Sequence, residues 1–303
     1  MPLAEPICTQ VERFVRETQF AKTGAVITDL DGTAVLEDQG RCFVPPPVEF
    51  GLKRLYDIGR PVIIDTLRFP LSVIKTFGRE WHRISAAPIP CVTLNGSLLG
   101  YVTEGEDKQL VFEELSATPL AQSELREILI GVTGLLEKRV PNLTIFYYPR
   151  DWKLGEIIWT PEPSRVSQVG NKYGSATEVF TGDVGVLESR LMAQDICMVF
   201  MLLDAPQDQL MAYQHTKRSN FFTHKGIDKA SGAKTFAKQL NVELPHSVGA
   251  GDAETDRFLT EVGLAVHVGP IDLEYKGLRD TVRLRDSNEL GDLLFHLADR
   301  IPS

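Results

Sequence analysis

Asp29 and Asp31 follow the apolar run at residues 25–27 and precede Gly32 and Thr33, so two carboxylates stand where a short β-branched segment ends in a turn. Such a run fits a strand buried on both faces, and in an open α/β sheet the C-terminal strand ends frame the ligand crevice. Three more polar stations follow, each beside its own apolar run: Thr66 after PVIID, Lys229 ahead of a helix-like stretch, and Asp252 with Asp256 after SVGA. Taken singly they have plain structural explanations: a solvated turn, a helix cap, a surface ammonium, and acids favoured at a helix N-terminus. Taken together they offer carboxylates, a hydroxyl and a cation, and the acidic residues form an oxygen-rich set of the hardness that Mg²⁺ prefers. A phosphate monoester needs that combination of charge neutralisation, nucleophile and proton donor.

The order Asp29-Leu30-Asp31-Gly32-Thr33, Thr66, Lys229, then Gly251-Asp252 with Asp256, resembles the haloacid-dehalogenase (HAD) superfamily of aspartate-nucleophile phosphotransferases. The resemblance implies that Asp29 attacks phosphorus to give an aspartyl phosphate, and that Asp31 protonates the leaving oxygen and then activates water. It implies that Thr66 hydrogen-bonds the phosphoryl group and that Lys229 neutralises both phosphate and nucleophile. It assigns Mg²⁺ to Asp29, Asp252 and the backbone carbonyl of Asp31, with Asp256 beside them or behind them. The resemblance also places Arg68 and Asn95 with Thr66 and Lys229 as substrate-binding residues. Members close to this type commonly carry Thr-Gly-Arg at the second station. Here the triplet is Thr66-Leu67-Arg68, so the loop forms without a glycine's conformational freedom.

The elements that must hold these residues alternate as strand and helix at both ends of the chain. A helix-like spacing over residues 6–20 precedes the first strand. Residues 35–41 look irregular, a proline-led helix spans 48–58, and strands follow at 61–65 and 91–94, the grammar of a parallel sheet. Asn95-Gly96 turns the chain into a return arm at 98–102. From residue 96 to 219 the alternation gives way to a mixed pattern: a helix over 121–139, strands at 143–148 and 156–160, a helix over 186–193 and a strand at 196–203. The first grammar resumes near residue 221, with a helix over 230–240, a strand at 247–250, a helix over 253–262, strands at 264–268 and 281–284, and a last helix over 289–300.

The expected architecture is an α/β protein: a Rossmann-like HAD core with a parallel sheet from residues 1–95 and 220–303, interrupted by an α+β type-IIB (C2) cap over 96–219. That insertion point resembles the branch containing Cof-like, sucrose-phosphate, mannosyl-phosphoglycerate and trehalose-phosphate phosphatases and phosphomannomutases. Its cap selects the substrate. Candidate cap contacts are Tyr148, Arg150, Asp151, Trp152 and Lys153, with Lys217, Arg218 and Asn220 at the return crossing.

Composition agrees with a folded, non-nucleic-acid-binding chain. At 303 residues it is long enough for two domains, and 43% hydrophobic with 24% charged residues is an ordinary globular balance. A net charge of −9 opposes a nucleic-acid footprint. The longest apolar run, 196–203, is too short to cross a bilayer, and four scattered cysteines suit a reducing compartment. The expected protein is cytoplasmic, monomeric or homodimeric, and acts on a small phosphorylated metabolite, most simply a sugar phosphate. A phosphomutase and a catalytically idle phosphometabolite-binding protein are the alternatives.

Overall fold

The computed structural model describes residues 3–38, 41–203 and 221–301. The strands, in chain order, are β1 (Val26–Thr28), β2 (Leu36–Asp38), β3 (Arg41–Phe43), β4 (Val62–Asp65), β5 (Ile89–Thr93), β6 (Leu98–Glu104), β7 (Leu110–Ala117), β8 (Thr144–Pro149), β9 (Glu156–Thr160), β10 (Ala176–Thr181), β11 (Ile196–Leu202), β12 (Phe221–Phe222), β13 (Val248–Gly251), β14 (Leu264–Val268) and β15 (Asp280–Leu284).

An eight-stranded sheet runs β15-β14-β13-β1-β4-β5-β6-β7. Its strands from β15 through β5 are parallel, and β6 and β7 extend it antiparallel. The parallel part needs apolar side chains on both faces because helices cover both. Val26, Ile64 and Val266 pack into the cluster with helices Pro46–Asp57 and Ser287–Asp299. Ile27, Ile63 and Ala265 pack on the other side, with Ala233 and Phe236 of helix Lys229–Gln239.

A second sheet runs β10-β9-β8-β11-β12. Alternation along β8 sorts its two faces: Ile145 and Tyr147 join Leu129 and Leu187 of helices Gln122–Glu137 and Val184–Met192, while Phe146 and Tyr148 join the cluster that includes Phe69 and Phe112. The returning chain is tied to this unit by Glu124, whose carboxylate accepts the Lys225 N–H at 2.8 Å and lies 2.8 Å from His224 Nδ1.

Several expectations are corrected. The return arm expected at 98–102 is β6, paired antiparallel with β5, and beyond it β7, which was not expected, extends the same sheet edge as far as Ala117. Where residues 35–41 were expected to be irregular, Leu36–Asp38 and Arg41–Phe43 pair as β2 and β3. No α-helix covers 253–262: a turn leads to the short 3-10 segment Arg257–Thr260. Asp256 explains this, since its Oδ2 accepts the backbone N–H groups of Asp252 and Ala253, both at 2.9 Å, and folds the segment back on itself. All four cysteines are free, with Cys91 and Cys197 buried.

Candidate active site

β13, β1 and β4 are neighbours, and their C-terminal ends deliver Asp252, Asp29 and Thr66 to one edge. Beyond β1 the chain makes a tight turn in which the Thr33 and Val35 N–H groups donate to the Leu30 carbonyl at 3.2 and 2.7 Å. Gly32 adopts φ +75°, and a Cβ there would collide with the Asp252 carboxylate. Glycine at this position therefore serves both the turn and the approach of the two loops.

Lys229 begins its helix rather than preceding it. Asp228 caps that helix, accepting the Ser231 N–H at 2.9 Å while the Ser231 hydroxyl accepts the Asp228 N–H at 3.0 Å. Gly96, at φ +92°, lies against the Asp228 carbonyl so closely that a Cβ would collide with it. The Asn95-Gly96 turn thus seats the helix start, and the Asn95 N–H also donates to the Thr66 carbonyl at 3.3 Å.

The Lys229 side chain is 1% exposed and bridges two carboxylates, with Nζ 2.7 Å from Asp29 Oδ1 and 2.6 Å from Asp256 Oδ1. Burial opposes its charge, but Asp256, Asp29 and Asp65 more than offset that and hold the ammonium above its ordinary pKa. Burial pushes the Asp29 carboxyl well above the usual carboxylate range; Lys229 works against this, while Asp256, Asp252 and Asp31 add to it. Carboxylate oxygens of Asp29, Asp252 and Asp256 all lie within 4.8 Å of one another. This all-oxygen donor set at a strand edge fits a hard cation. Asp256 is already engaged by Lys229 and two backbone N–H groups, so it is the member best placed to orient the others.

Arg68 Nε donates to Asp31 Oδ2 at 2.7 Å, Nη2 donates to Asp31 Oδ1, and Nη1 donates to Ser72 Oγ at 2.8 Å. The pair is the planar two-point match of guanidinium and carboxylate. Thr66 Oγ1 accepts the Arg68 N–H at 3.2 Å, shaping the loop. Leu67 is buried and is not among the residues with positive φ, so the loop closes without the left-handed backbone that would require glycine.

The structure therefore brings Asp29, Thr66, Lys229, Asp252 and Asp256 together, joins Arg68 to Asp31, and sets Asn95 on the adjoining turn. Asp65 reads in the sequence only as the end of an apolar strand, and its place immediately before Thr66 is the signal that it belongs to the site. Among the cap candidates, Tyr148 packs on Phe69 with ring centroids 5.6 Å apart and donates to Glu156 Oε2 at 2.6 Å. Arg150 is held by Glu114 at 2.7 Å and Asp195 at 3.4 Å, at the rim of a crevice of about 490 Å³ that Asp151, Trp152 and Lys153 also line. Lys217, Arg218 and Asn220 lie outside the described residues.

A phosphatase of the haloalkanoate (HAD) enzyme superfamily from Bacteroides thetaiotaomicron aligns with a TM-score of 0.62 at 18% identity, over 92% of this chain and 96% of that one. A sugar phosphatase of HAD subclass IIB aligns with a TM-score of 0.61 at 15% identity, over 89% and 96%. A Thermotoga maritima protein aligns with a TM-score of 0.61 at 16% identity, over 93% and 98%. The chain has the fold of HAD-superfamily hydrolases of subclass IIB. No protein-family model and no curated protein matches it.

Proposed function

We infer that the protein is a Mg²⁺-dependent phosphomonoester hydrolase acting on a small phosphorylated metabolite, most simply a sugar phosphate. The observation that carries this is the Lys229 ammonium bridging Asp29 and Asp256 beside the three clustered carboxylates. Phosphatases and a sugar phosphatase among the proteins of like fold support it. Asp29, Asp252 and Asp256 would hold the metal, with the Asp31 backbone carbonyl. When bound, the ion offsets phosphate charge.

In this reading a carboxylate oxygen of Asp29 bonds to phosphorus as the bond to the leaving oxygen breaks, and Asp31 supplies that oxygen's proton. Lys229 and Thr66 face the transferring group, and Arg68 exchanges its bond to Asp31 for one to substrate, freeing that carboxyl for proton transfer. Water then attacks phosphorus, its proton passes to Asp31, and Asp29 is restored. Among the described residues no helix is long and apolar enough to cross a membrane.

The test is phosphate release from a panel of sugar and other metabolite phosphates with Mg²⁺, beside Asp29→Asn and a chelator. Release that both controls abolish is expected. Undiminished release by Asp29→Asn overturns the reading.

A further inference from the structure

Ile64 pairs with Thr28 across β1 and β4, which sets Asp65 level with Asp29 on the neighbouring strand. Both acids continue the alternation of Ile27 and Ile63, so they share the face covered by helix Lys229–Gln239. Asp65 is wholly buried, and neither of its carboxylate oxygens has a hydrogen-bond partner among the described residues. Burial raises this carboxyl, and Lys229 is the cation that pulls against the rise. A buried acid without partners destabilises a fold, and an alanine or valine would suit a strand end better. A buried carboxylate with open acceptor positions is available to a donor that comes free.

An ammonium has three N–H bonds to give. Lys229 gives one to Asp29 and one to Asp256. The aspartyl-phosphate reading, on which this inference rests, weakens the first acceptor: one Asp29 oxygen becomes bonded to phosphorus, and the carboxylate becomes an uncharged acyl group while the negative charge sits on the phosphoryl oxygens. We propose that Asp65 is a positioning residue that accepts the Lys229 N–H at that stage. It holds the ammonium against the phosphoryl group while water attacks phosphorus, the bond from phosphorus to the Asp29 oxygen breaks, and Asp31 takes the water proton. Asp29 and Asp65, level on adjacent strands, serve one lysine in alternate halves of the cycle.

The experiment follows p-nitrophenolate release from p-nitrophenyl phosphate with Mg²⁺ by stopped flow, beside thermal melting, for wild type, Asp65→Ala and Asp65→Asn. Asp65→Ala is expected to melt at or above the wild-type midpoint because an unpartnered acid is gone. Its kcat should fall about ten- to a hundredfold, the scale of one hydrogen bond to a charged group. A burst approaching one product per enzyme should appear as the phosphoenzyme accumulates. Asp65→Asn keeps a carbonyl acceptor and should recover most of the turnover. Unchanged turnover in Asp65→Ala, slowing without a burst, or activity lost together with a lower midpoint each overturns the proposal. Asp29→Asn separates the two readings. If it turns over substrate, the aspartyl-phosphate mechanism fails and this inference with it; if it is inert while Asp65→Ala behaves as wild type, only the role of Asp65 fails.

Discussion

Lys229→Met would remove the cation that Asp29 and Asp256 share while keeping a side chain of similar length. Lys229 is 1% exposed, Asp29 6% and Asp256 fully buried by side chain, so solvent cannot take over the ammonium's role. Removing one partner of a buried ion pair costs about 3–5 kcal/mol. At about 2 °C per kcal/mol for a chain of this size, that corresponds to roughly 6–10 °C in the melting midpoint. The loss should depend on pH. Burial holds Asp29 and Asp65 above the ordinary carboxylate value of 3.8, so the folded protein binds more protons than the unfolded chain through that window, and stability falls as pH rises across it. Lys229 stays charged throughout and adds no slope of its own. Without it both carboxyls rise further, and the deficit against wild type should grow from about pH 5 to about pH 8. Metal-free calorimetry at both values reads this directly. A variant that melts with wild type at both, or whose deficit shrinks as pH rises, would refute the electrostatic account.

Two further changes test the metal site and the helix seat. Mg²⁺ at about a hundred times its dissociation constant should stabilise the wild-type protein by about 2.7 kcal/mol. Asp252→Asn should lose most of that shift at the same concentration, as measured by melting with and without chelator. Gly96→Ala forces a Cβ against the Asp228 carbonyl at a positive φ, and the overpacking should cost about 1–3 kcal/mol in urea unfolding. Because Asp228 starts the helix that carries Lys229, phosphate release should fall as well.

The chemistry of the site was legible because each functional side chain follows or precedes an apolar run, and strand ends in a parallel sheet have a fixed side on which to place them. Its internal wiring was not. The Asp252 and Asp256 spacing suggests one helical turn, but a carboxylate able to accept nearby backbone N–H groups offers the chain another local minimum, and Asp256 takes it. The Arg68–Asp31 pair joins residues 37 apart, and no local pattern announces it. β7 escaped notice because an edge strand carries charge on its open side: Glu113 and Glu114 interrupt the apolar alternation of a segment that pairs along most of β6.

The sheet order explains why residues distant in sequence form one site while the second unit offers so little to sequence reading. Adjacent strands lie about 4.8 Å apart, so acids at the ends of β13, β1 and β4 meet whatever their loops contain, and four short motifs suffice to specify them. Opposite them, Phe69 follows the Thr66-Leu67-Arg68 loop directly and packs on Tyr148 of β8. The apolar face of the second sheet thus rests on the segment that aims Arg68 at Asp31. Contacts of this kind depend on two surfaces fitting each other. They leave no spacing for a single sequence to display.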